Sequence, residues 1–103
     1  MYRLKISPKA RNDLTEIQRY ISQELCNSQA ATSLVSKITK KIRELREYPE
    51  IGASLSSIVD IQTDYRVLIC DNYMIFYRNE HGVVVVSRIL YGRRDYMKIL
   101  FRN

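Results

Sequence analysis

The run from Val83 to Leu90 opens with four consecutive valines and continues Ser-Arg-Ile-Leu, so it is apolar at both alternating positions. Successive side chains of a strand point to opposite faces, and a strand apolar at both needs cover on two sides. Branching at Cβ disfavours a helix here and suits a pleated surface. The chain must therefore place this segment inside a sheet. With 103 residues, 46% of them hydrophobic, it has material for one domain spanning 1–103.

The flanking segments supply the partners. Tyr65 to Cys70 and Tyr73 to Arg78 read as strands joined by the turn signal Asp71-Asn72, and Asn79-Glu80-His81-Gly82 turns the chain into the valine run. Tyr65, Tyr73 and Tyr77 share the alternation of apolar positions and read as core or half-core residues, while His81 beside Gly82 reads as an inert turn residue. At the N-terminus, Tyr2-Arg3-Leu4-Lys5-Ile6 alternates apolar and basic residues, as a strand with one buried face does. Ser7-Pro8 then predicts a helix start, with the serine as N-cap and the proline at the first helical position. Ala10, Leu14, Ile17, Ile21 and Leu25 form one helical stripe, and Ala31, Leu34, Val35, Ile38, Ile42 and Leu45 form a second that ends at Tyr48-Pro49. Asn27-Ser28 marks the break, Asn taking the left-handed turn and Ser capping the next helix, and so short a connection makes an antiparallel helical hairpin. Glu50 to Asp64 reads mainly as a loop, and Tyr91 to Phe101 as a short helix or tail. The expected architecture is α+β, β-α-α-β-β-β, with the hairpin packed on one face of an antiparallel sheet.

No apolar run is long enough for a signal peptide or a membrane span, which predicts a soluble, cytoplasmic protein with no membrane partner. Cys26 and Cys70 form no C-x-x-C motif, so both read as reduced, buried small hydrophobes, and neither metal nor cofactor is expected. The formal charge of +6 is unevenly placed. Lys37 to Arg46 and Arg88 to Asn103 each carry net +4, around a segment from Glu47 to Ser87 of net −4. Two basic patches favour an acidic or polyanionic partner, and alone they would suffice for simple nucleic-acid binding. The first also fits a solvated helix face. The second is interleaved with Tyr91, Tyr96 and Phe101.

Three features in this order, SPKARNDLTEIQRYI after the opening strand, LREYPEIG closing the second helix, and YRVLICDNYMIFYRNEHGVVVVSRILYGRRDY, resemble the RelE/ParE superfamily of bacterial type II toxins. The resemblance covers nearly the whole chain. It implies a toxin held inactive by a cognate antitoxin that covers its basic surface. It also implies one of two actions: cleavage of mRNA in the ribosome, as in RelE-like members, or poisoning of DNA gyrase without catalysis, as in ParE-like members.

Metal-free RNA cleavage needs a base, an acid and cations on the phosphate. The resemblance places the first nuclease lysine at Arg66 and the arginine after the last strand at Arg94, with Tyr91 or Tyr96 as the nearest tyrosines, so a nuclease would be built on Arg66, Arg88, Arg94 and Tyr91 or Tyr96. It places Leu68 and Met74 where that branch keeps cations, and Leu100 near its C-terminal tyrosine. YMIFYR and RILYGRRD look closer to the ParE-like branch, which is therefore preferred. Its contacts with target or antitoxin would fall on Arg88, Arg93, Arg94 and Lys98. Read from the strands alone, Arg66 faces solvent or pairs with Asp64, and Arg88 is either exposed at an edge or aimed into a partner groove.

Overall fold

The computed structural model describes residues 2–92 and 94–101. Its five strands are β1 (Arg3–Ile6), β2 (Ala53–Ser54), β3 (Arg66–Cys70), β4 (Tyr73–Glu80) and β5 (Val83–Tyr91). They form one sheet in the order β1-β5-β4-β3-β2. The valine run thus lies between two neighbours, as its composition requires. Helices α1 (Pro8–Arg19) and α2 (Ser28–Glu44) pack on one face, where Ala10, Ile17, Ile38, Ile42 and Leu45 meet Leu68, Ile75, Tyr77, Val84 and Val86. On the other face Phe76, Val67, Leu90 and Leu55 form a smaller core, closed by Tyr96, Ile99 and Leu100 of helix α3 (Tyr96–Phe101).

The α+β hairpin-on-sheet architecture is the expected one, but the sheet is mixed. β3, β4 and β5 form the antiparallel meander, whereas β1 pairs parallel to β5, with Leu4 opposite Val84 and Ile6 opposite Val86. A tight turn forces reversal between sequential strands. No such turn joins β1 to β5. The loop from Glu50 to Asp64 is more ordered than expected, because Ala53 and Ser54 pair with Val67 and Arg66 and the following single turn, Leu55–Ser57, buries Leu55 completely.

Local chemistry explains the helix ends. The Ser7 hydroxyl oxygen accepts from the Ala10 N–H at 3.0 Å and donates to the Ser87 carbonyl at 2.8 Å, which caps α1 and ties its start to β5. Past Arg19 the chain continues as a π-helical turn, Tyr20–Glu24, with the Leu25 N–H reaching the Tyr20 carbonyl at 3.2 Å. The wider turn shifts the phase of the apolar stripe. Leu25, expected inside, is 56% exposed for this reason. The break between the helices also differs in detail: Cys26 takes the left-handed conformation at φ 50°, and Asn27 is the cap, accepting from the Ala30 N–H at 2.9 Å. The second hairpin turn is the two-residue pair His81-Gly82, both at positive φ, as a type I′ turn demands.

The left-handed turn leaves Cys26 exposed, against the expectation that both cysteines are buried, while Cys70 is buried beneath α2. Burial, and the charge of Asp71 after it, hold the Cys70 thiol above its ordinary value of 9.0. A folded-state pKa raised in this way adds stability below the unfolded value that is lost as pH climbs through the folded one. Urea midpoints should therefore begin to fall above about pH 9, and Cys70→Ala should flatten that fall. Ellman titration of the native protein should register one fast thiol, and two fast thiols would contradict the placement of Cys70.

Candidate functional site

Strand β1 is shorter than β5, so beyond Val86 this edge of β5 has no neighbouring strand among the described residues, and α1 supplies the missing partners. The Ser7 N–H reaches the Val86 carbonyl at 2.9 Å, and six residues further along α1 Asp13 turns its carboxylate onto the same edge. Oδ2 of Asp13 accepts from the Ile89 N–H at 2.9 Å and from Arg88 Nε at 2.8 Å, while Oδ1 accepts from Arg88 Nη2 at 2.9 Å. Asp13 is buried, and only a fifth of the Arg88 side chain meets solvent. The hydrogen bond to Asp13 raises the Arg88 pKa further, against the opposing pull of burial. Arg88 is thus neither edge-exposed nor aimed into a partner groove. Its charge is met within the fold.

Asp13 was not among the residues singled out from the sequence. The available signal was its position: it falls three residues after Ala10 and four before Ile17, a carboxylate on the apolar stripe of α1.

Arg66 is also engaged. Its Nε donates to the Gly52 carbonyl at 3.0 Å and Nη2 to the Glu50 carbonyl at 3.1 Å, so it holds the β2 loop against β3. Asp64 turns instead to Arg78, at 3.8 Å, which lies over the Tyr65 ring at 4.8 Å from its centroid. Leu68 packs toward the helices, whereas Met74 packs on the opposite face with Phe76 and Val67. The two positions without the nuclease cations therefore lie on opposite faces of the sheet.

Tyr91 and Arg94 do come together. Both line a cleft of about 910 Å³ between the tip of the helical hairpin and the end of the sheet, walled also by Tyr20, Ile21, Leu34 and Tyr73. The Arg94 N–H donates to the Tyr91 carbonyl at 2.9 Å, and Tyr91 meets Tyr73 edge-on at 5.6 Å. Burial, then the neighbouring Tyr91 and Tyr20 hydroxyls, push the Tyr73 pKa up. Lys37 of α2 spans to Asp71 of the β3–β4 turn at 3.5 Å, both on the lining of this cleft.

Tyr96 is elsewhere: it rests on Phe76 at 5.3 Å, in the core beneath α3. Lys98 is exposed on α3, and Arg93 lies outside the described residues. Among the described residues no group of three or more His, Cys, Asp or Glu side chains could hold a metal ion, and no helix is long and apolar enough to cross a membrane.

The family model described as the ParE toxin of the type II toxin–antitoxin system, parDE, matches residues 4–96. Among solved structures, the chromosomal ParDE toxin–antitoxin system of P. aeruginosa superposes with a TM-score of 0.74 at 24% identity, over 88% of this chain and 96% of that one. The RelBE2 toxin–antitoxin complex of Mycobacterium tuberculosis superposes with a TM-score of 0.50 at 17% identity, over 87% and 96% respectively. At these identities the likeness concerns the fold. No curated protein matches the sequence significantly.

Proposed function

The chain belongs to the ParE toxin family of type II toxin–antitoxin systems, and from that membership we propose that it arrests bacterial growth as a binding poison of DNA gyrase in the cytoplasm, without catalysis of its own. A cognate antitoxin neutralises it. The observation that supports a noncatalytic action is the engagement of Arg66 and Arg88. Arg66 is bound to two loop carbonyls and Arg88 to Asp13, so neither guanidinium is free to meet the growing charge of a phosphate. Arg94 and Lys98 remain exposed on the C-terminal segment and serve as contacts for gyrase or antitoxin, with Arg93 immediately before Arg94 in sequence.

One observation favours the second reading, a ribosome-dependent mRNA endoribonuclease. Tyr91 and Arg94 share the cleft and could supply an acid or base beside a cation. Arg66, Arg88 and Tyr96 would then have to leave their present partners.

Induction without antitoxin separates the two. Primer extension on abundant mRNAs should show intact transcripts, while the purified protein should inhibit gyrase supercoiling. Codon-phased cuts with normal supercoiling would reverse the assignment. Arg94→Ala removes an exposed cation, and should reduce growth arrest and supercoiling inhibition together while leaving the melting curve unchanged.

A further inference from the structure

Three tyrosines distant in the chain converge on the cleft between the hairpin tip and the end of the sheet. Tyr20 opens the π-helical turn after α1, Tyr73 begins β4 and Tyr91 ends β5. Tyr91 meets Tyr73 edge-on at 5.6 Å, and Tyr73 feels the Tyr20 hydroxyl as well. Among the described residues the three hydroxyls have no hydrogen-bond partner, whereas that of Tyr77 accepts from the Gly52 N–H. Turns of the π type recur at functional sites, and this one leaves Tyr20 54% exposed. Ile17, Ile21, Leu34 and Ile89 supply the apolar part of the lining.

Most of the charge on the lining is already paired. Asp13 holds Arg88, and Asp71 lies 3.5 Å from Lys37. Glu16 on α1 and Arg94 beyond β5 are left, both exposed and neither in an ion pair among the described residues. The cleft therefore offers one cation from the sheet side and one acceptor from the helix side. Its volume of about 910 Å³ falls within the span of small-molecule sites, which likewise combine an apolar and aromatic lining with a few convergent polar groups.

We propose that this cleft binds a small planar aromatic carboxylate that carries a hydrogen-bond donor on its ring. Arg94 takes the carboxylate through its forked donors, the three phenols hold the ring by edge and offset contacts, and Glu16 accepts from the ring donor. The overall charge of +6 draws an anion toward the molecule. A cation would be attracted by the phenol faces but repelled by Arg94, whose N–H is bound to the Tyr91 carbonyl. A neutral ring leaves Arg94 without a partner. Because Arg94 is also the cation assigned above to gyrase or the antitoxin, on that reading an occupied cleft withholds it from the partner.

The test uses the purified full chain and indole-3-acetate, whose ring N–H is the donor. The chain has no tryptophan, so the indole is read directly. On titration, tyrosine emission should fall by transfer to the indole and indole anisotropy should rise, with a Kd below about 1 mM, which a ligand of this size reaches at ordinary efficiency. Arg94→Ala should weaken binding roughly tenfold or more, the worth of a hydrogen bond to a charged group. Tryptamine, with an ammonium in place of the carboxylate, should not saturate. 1-Methylindole-3-acetate should bind more weakly than the parent, and in Glu16→Ala the two should bind alike. Ser33→Phe, at an exposed α2 position on the lining, should block the cleft and leave the melting curve unchanged. No saturable binding of indole-3-acetate overturns the proposal. So does tryptamine binding as tightly, or binding that survives both Arg94→Ala and Ser33→Phe. These measurements involve neither gyrase nor antitoxin, so failure of the supercoiling assay would leave the site standing, and failure here would leave the toxin reading intact.

Discussion

Asp13→Ala should destabilise the protein by about 3 kcal/mol, the lower end of the range for breaking a buried ion pair, and lower the melting temperature by roughly 12–24 °C. Three donors converge on this carboxylate: both guanidinium contacts of Arg88 and the Ile89 N–H. Removal leaves a mostly buried cation and a backbone amide without partners, and the unmet groups dominate the cost. Asp13→Asn keeps acceptor capacity and should cost less. Replacing both members, as Asp13→Leu/Arg88→Met, should recover much of the loss, because apolar residues of similar size often match a buried pair. Thermal and urea melts of the three variants decide the point, and a change under about 0.5 kcal/mol for Asp13→Ala would show that the clasp carries no weight. The double variant also separates structure from action. If Arg88 serves only the fold, the refolded double variant still inhibits supercoiling.

What the sequence disclosed followed from periodicity, and what it concealed followed from contacts distant in the chain. Val83 to Leu90 located the central strand because alternation is local, and Ser7-Pro8 located the start of α1 because capping is local. The direction of β1 depends on where the chain has travelled by the time β5 forms, and nothing in Tyr2-Arg3-Leu4-Lys5-Ile6 encodes it. Leu25 was misplaced because the pattern assumes 3.6 residues per turn, and the π-helical turn at Tyr20–Glu24 breaks that assumption. Among the site residues, Arg94 and Tyr91 are neighbours in sequence and in space. The partner of Arg88 lies 75 positions away, and the partners of Arg66 are backbone carbonyls, which no side-chain pattern reveals.

Gly52→Ala should cost about 3 kcal/mol, near the upper limit for forcing an extra methyl into a packed interior. A Cβ built at Gly52 would lie 2.7 Å from the Val67 carbonyl oxygen, 2.7 Å from the Tyr77 hydroxyl and 2.9 Å from its ring. Neither neighbour gives way easily, since one is sheet backbone and the other a fully buried side chain. Gly52 also donates its N–H to the Tyr77 hydroxyl at 2.9 Å and offers its carbonyl to Arg66. Displacing it therefore loosens the hydroxyl and the arginine together. Tyr77→Phe should cost about 1–2 kcal/mol for the amide left without an acceptor. The two changes should combine less than additively, because the second removes one of the atoms that the first would strike. Urea midpoints of the single and double variants measure this, and a Gly52→Ala protein as stable as the parent would mean that the loop gives way without cost. The variant also probes mechanism. Displacing the loop frees the Arg66 guanidinium, yet primer extension should still show intact mRNA, because Leu68 and Met74 cannot supply the missing charges whatever Arg66 does.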